Sequence, residues 1–127
     1  MYKKIILASS SIHRKRLLRQ LKISFSSISP NIDEKRLKSE SPTMYAKRLS
    51  KEKAMFVAKK NKGAIIIGSD EVAVVGTRIL GKPNTIKNAK KQLRFISNKM
   101  VIFKTGVFVI DSTTNKSLSA VVNYNVL

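Results

Sequence analysis

The stretch IIIGSDEVAVVGTRILGKP, Ile65 to Pro83, decides the fold. Ala64–Gly68 is an unbroken apolar run after Gly63, the pattern of a strand buried on both faces. It delivers Ser69-Asp70-Glu71 at its carboxyl end, where open α/β sheets place ligands and chemistry. Val72–Val75 and Ile79-Leu80 flank Gly76-Thr77-Arg78, which predicts a hairpin. Gly81-Lys82-Pro83 then forms a tight loop with one cationic side chain. In this setting Asp70 is placed to activate a water or to hold a divalent ion, or else to cap a turn.

Upstream, Lys3–Ala8 reads as a strand and Ser9-Ser10-Ser11 as a polar turn. Ile12–Leu21 has helical periodicity, with Leu17, Leu18 and Leu21 on one side and Ser11 as N-cap. Ile23–Ile28 partly alternates and predicts a second strand. Ser29–Lys38 is a loop carrying Asp33-Glu34. Ser41-Pro42 is a cap followed by proline at the first helical position. The helix it starts should run to about Lys60, with an apolar stripe of Tyr45, Ala46, Leu49, Phe56 and Val57. At about 100° per residue Lys53 falls inside that stripe, so it must reach the rim or find a carboxylate. Downstream, Thr85 caps a helix to about Ser97. Val101–Ile110 and Leu118–Val126 are strands joined by a polar loop at Asp111–Lys116. The order β-α-β-α-β-β-α-β-β indicates an α/β domain with a mixed sheet. Its last strand is an open edge, a pairing liability.

The 127 residues suffice for one domain, and 43% apolar composition is ordinary for a globular chain. There is no cysteine, which excludes disulfides and thiolate metal sites and fits a cytoplasmic protein. No apolar run reaches bilayer-spanning length, and the N-terminus lacks the features of a signal peptide. Lys and Arg number 26 against 7 acids, a formal charge of +19. This points either to a polyanionic partner or to compositional drift, since the lysines are scattered over helix faces. Against that background the adjacent carboxylates Asp33-Glu34 and Asp70-Glu71 are candidates for metal binding or base catalysis.

A second constellation is Leu7–Ser11 leading into Arg14-Lys15-Arg16. A strand, a small-residue turn and a helix N-terminus present backbone N–H groups and a positive dipole end to phosphate oxygens. An ordinary capped helix with a basic surface has the same pattern. It is not a Walker-type loop. His13 is the only histidine, which argues against a His-based metal site or a Ser-His-Asp triad. No aromatic-interleaved basic motif for RNA is present.

Taken in order, LASSSIHRKRLL at 7–18, NIDE at 31–34, SPTMYAKRLSKEKA at 41–54, the 65–83 stretch and FKTGVFVI at 103–110 resemble the Maf family of nucleoside triphosphate pyrophosphatases. Gly68-Ser69-Asp70 and Ile23-Ser24-Phe25 make the chain look closest to its 7-methyl-GTP pyrophosphatase subgroup. The resemblance implies a Maf-like (ITPase-like) curved mixed sheet with flanking helices and a central cleft, as a single domain over 1–127. It implies hydrolysis of a modified nucleoside triphosphate to the monophosphate and pyrophosphate, with a divalent metal cation (Mg2+ or Mn2+). Asp70 matches the proton acceptor. Ser9, Arg14, Lys53 and Lys82 match residues lining the phosphate cleft, and Glu34, with Asp70, a metal ligand. His13 and Glu71 match positions of base selectivity.

Three positions depart from the subgroup's pattern: Ile12-His13 stands for Pro-Trp, Glu71 for Gln, and Ser97-Asn98 for Ser-Gly. Family members run longer, so the resemblance also implies that a C-terminal part is missing. The alternative reading is a non-catalytic remnant that binds nucleotides or polyanions. The implied partners are a nucleoside triphosphate and, at the open edge, a partner chain or a second copy in a homodimer. Neither a membrane nor a specific nucleic acid is implied.

Overall fold

A computed structural model describes residues 3–81 and 83–127. The element order matches the sequence reading: β1 (Lys4–Ala8), α1 (Ile12–Gln20), β2 (Ser26–Ser27), α2 (Pro42–Ala58), β3 (Ala64–Val75), β4 (Arg78–Leu80), α3 (Ile86–Ile96), β5 (Val101–Asp111) and β6 (Ser117–Val126). The sheet runs β2-β1-β3-β5-β6, with β4 also on β3. β1 is parallel to β2 and β3, while β4, β5 and β6 join antiparallel.

Three helices start as their sequences dictate. Ser11, Ser41 and Thr85 each accept a backbone N–H from the first turn. Asn98 follows α3 with φ of +59°, the left-handed conformation that ends helices; Asn tolerates it, so the departure from glycine there costs little. Gly76, at φ +60°, opens the two-residue turn between β3 and β4, where a side chain would be strained.

Only α2 is built into the core. Its Ala46, Leu49, Ala54 and Val57 are buried, and Ala54 and Val57 pack with Ile6, Ile66, Phe108 and Ile110. Each fully buried aliphatic side chain contributes about 1.5–3 kcal/mol. Glycine sets how closely α2 approaches. A Cβ on Gly68 would collide with the Ser50 carbonyl oxygen and lie 2.8 Å from Ala54 Cβ, and one on Gly106 would lie 2.5 Å from the Ala46 carbonyl oxygen.

Two sequence expectations need correction. The second strand shrinks from 23–28 to Ser26–Ser27, because only these residues pair with β1. More important, β3 does not end at Gly68. It runs unbroken through all 12 residues from Ala64 to Val75 because β5 pairs with it without a break from Ile65 to Val74. Asp70 therefore sits in mid-strand. The strand that ends beside it is β1, whose last pair is Ala8 with Gly68.

Candidate active site

β1 and β4 occupy the same edge of β3, because β5 holds the other. β1 leaves at Gly68 and β4 arrives at Ala73. Between them the edge of β3 is open at Ser69–Val72, and this gap is the floor of a cleft of about 630 Å³. The turn after β1 forms one wall and Leu80-Gly81, at the end of β4, the other. Ser9, His13, Arg14, Glu34, Lys53, Asp70 and Glu71 all line it. Lys82 lies outside the described residues.

At the centre is Lys53. It is buried, 7% exposed, on the inner face of α2. Its Nζ donates to Asp70 Oδ1 at 2.7 Å and stands 3.0 Å from Glu34 Oε1. A lysine on the apolar stripe has thus found a carboxylate rather than the rim. The pair lies where water screens little, so the attraction offsets a large desolvation cost.

The pairing of acids in space differs from their pairing in sequence. Successive strand residues point to opposite faces. Asp70 meets α2, whereas Glu71 lies on the other side and accepts from Thr105 Oγ1 at 3.0 Å. Asp70 is instead brought together with Glu34, from a distant loop, across one ammonium. Among the described residues no group of three metal-ligating side chains forms. Two carboxylates converging on one cation do suit Mg2+ or Mn2+, which bind through one or two carboxylates, with water and substrate phosphates completing the shell.

The turn after β1 is pre-shaped. Ser9 is buried, and its Oγ accepts the Ser11 N–H at 3.0 Å; Ser11 Oγ accepts the Arg14 N–H at 3.3 Å. These bonds fix the turn and the start of α1. The next N–H groups and the Arg14 side chain remain at the cleft wall.

Sequence reasoning missed the residues that hold Glu34 in place. The Tyr45 hydroxyl donates to the Glu34 carbonyl oxygen. Burial and the nearby Asp70 and Glu34 carboxylates raise its pKa above the ordinary tyrosine value. Arg48 Nη2 donates to the Lys35 carbonyl at 3.0 Å, while its Nε and Nη2 grip both oxygens of Glu40 at 2.6 and 3.0 Å. Arg48 in turn holds the Glu40 carboxyl below the usual carboxylate range. Tyr45, Leu49 and Lys53 recur at intervals of four, one helical face all lining the cleft. That spacing was the available signal for Tyr45.

The Maf-like protein family matches residues 4–127. The chain is 43% identical over 122 residues to the 7-methyl-GTP pyrophosphatase of Pseudoalteromonas translucida, covering 96% of this chain and 60% of that protein. It is 45% identical over 113 residues to the protein of the same name from Alcanivorax borkumensis, covering 89% and 57%. It thus spans about three fifths of the length of the curated relatives it matches. Among solved structures, the Staphylococcus aureus Ham1 protein aligns with a TM-score of 0.61 at 15% identity, over 97% of this chain and 70% of that one. At that identity the likeness concerns the fold, an open mixed sheet with flanking helices.

Proposed function

The chain belongs to the Maf family, and on that premise we propose that its single domain, residues 1–127, carries the catalytic cleft of a nucleoside triphosphate pyrophosphatase acting on a modified nucleotide, 7-methyl-GTP first among the candidates. The observation that carries this reading is the convergence of Asp70, Lys53 and Glu34 in a cleft facing the Ser9–Arg14 turn. The activity for which these relatives are named supports the substrate class.

Asp70 Oδ takes the proton of a water whose oxygen attacks the α-phosphorus. The new P–O bond forms as the α–β anhydride bond breaks, and pyrophosphate leaves with the bonding electrons. Lys53, released from Asp70 when the triphosphate enters, turns its ammonium to the phosphates. Arg14 and Lys82 neutralise developing charge beside it. Ser9 and the N–H groups of the following turn orient the phosphate chain. Glu34 and Asp70 would hold the divalent cation, which when bound neutralises phosphate charge. His13 and Glu71, which both line the cleft, select the base; a carboxylate at 71 complements the positive charge of a 7-methylguanine. The absence of cysteine supports a cytoplasmic setting. No helix among the described residues is long and apolar enough to cross a membrane.

The test is pyrophosphate release across 7-methyl-GTP, dTTP and UTP with Mg2+ or Mn2+. Asp70→Asn should lower the rate by about 10²–10⁴-fold, the usual worth of a positioned base. Release indifferent to Asp70→Asn, or nucleotide binding with no release from any substrate, would sink the catalytic reading.

A further inference from the structure

The two carboxylates suited to a divalent cation are the same two that Lys53 bridges. Its Nζ stands 2.7 Å from Asp70 Oδ1 and 3.0 Å from Glu34 Oε1. The ammonium therefore lies between the oxygens that a metal ion would take, and two cations at such range repel strongly. Among the described residues Lys53 is also the only cation within ion-pair distance of either carboxylate. Metal and ammonium are alternatives for one place.

The donor set points the same way. Two carboxylates facing one ammonium keep a single net negative charge, too little to neutralise a divalent ion. Among the described residues no third metal-ligating side chain joins them. Mg2+ and Mn2+ complete such a shell with water and substrate phosphates. The ammonium, on a flexible four-carbon stem, can swing without any movement of α2. Phosphate oxygens attract it through charge-assisted hydrogen bonds as a carboxylate does. Glu34 is 59% exposed, so an ion can arrive from the solvent side once the ammonium has left.

We infer that Lys53 gates the metal site. In the free chain its ammonium closes the Glu34–Asp70 pair to divalent ions, and an anion in the cleft opens the pair by drawing the ammonium away. Metal and phosphate substrate then load together, each raising the affinity for the other. Asp70 meets no metal until a substrate is in place. The inference rests on the reading that these carboxylates hold a metal, but it requires no turnover.

The test is Mn2+ binding to the full 127-residue chain, read by electron paramagnetic resonance. In chloride, without nucleotide, K53M should bind Mn2+ more tightly than the wild type by about tenfold or more, the influence of one charge about 4–6 Å away on a neighbouring ionic equilibrium. R14Q removes an equal charge from the cleft without freeing a carboxylate, and should gain much less. D70N added to K53M should abolish the gain. Mn2+ should also raise the unfolding midpoint of K53M while hardly moving that of the wild type. Replacing chloride by sulfate at equal ionic strength gives Lys53 an anion to turn to. Mn2+ binding to the wild type should then tighten, and K53M should not respond. That wild-type comparison decides the matter even where K53M is too unstable to fold. Equal Mn2+ binding by wild type and K53M overturns the inference, as does a gain shared by R14Q or surviving D70N, or a wild type indifferent to sulfate. The expected pattern without pyrophosphate release leaves the gate standing and removes the catalytic reading; release without the pattern does the reverse.

Discussion

Replacing Lys53 by methionine keeps most of the length of the side chain and deletes its charge. The Lys53 and Asp70 side chains are 9% and 10% exposed, so water cannot readily replace the lost ammonium. Asp70 would remain a buried carboxylate without a cation, and breaking such a pair from one side costs about 3–5 kcal/mol. Glu34, at 59% exposure, adds less than about 1 kcal/mol because solvent screens it. At roughly 4 °C per kcal/mol for a chain of this size, the midpoint of thermal unfolding should fall by about 12 °C. Asp70→Asn in the same background removes the stranded charge and should recover most of the loss. A double-mutant cycle by urea unfolding should therefore give a coupling of about 3 kcal/mol. A coupling below about 0.5 kcal/mol, the scale of an exposed pair, would refute the argument that α2 buries this ion pair.

Gly68→Ala should destabilise by about 3 kcal/mol or more in urea unfolding, since α2 backbone leaves no room for a Cβ. Tyr45→Phe should lose about 1 kcal/mol with its hydrogen bond to the Glu34 carbonyl. It should also remove a tyrosine that titrates above the ordinary tyrosine value in a spectrophotometric titration. Glu40 has its pKa lowered in the folded state by Arg48. Its contribution is therefore present above the unfolded carboxylate value and is lost as pH falls through the lower, folded one. Glu40→Gln should flatten that acid limb in a pH series of unfolding midpoints, leaving neutral pH the condition of greatest difference.

Much of this was legible in the sequence. Period-2 and period-3.6 patterning, the Ser41-Pro42 start and the Ser11 and Thr85 caps gave every element in order, because each is decided by local chemistry. Lys53 was legible as an anomaly: a charge on an apolar stripe demands a partner. The partner's identity was not, since Glu34 and Asp70 lie 36 residues apart and only the fold joins them. The length of β3 was illegible for a similar reason. Gly68-Ser69 looks like a strand end, and the β5 ladder that carries the strand through it is a long-range pairing. Tyr45 read as one more apolar stripe residue because its hydroxyl partner is a backbone carbonyl, which no side-chain pattern reveals.

The exposed apolar side chains of β6, Leu118, Val122 and Tyr124, give the +19 charge a physical consequence that requires no binding partner. Two copies that met through their apolar strands would also bring like charges together. At low ionic strength this repulsion acts over tens of ångströms, about 30 Å at 0.01 M salt, and keeps the sticky faces apart. Near 1 M salt the range contracts to about 3 Å, and the apolar attraction remains. The lysines spread over the helices thus act as a colloidal stabiliser for a surface they do not touch, and added salt would be expected to cloud the solution rather than clear it.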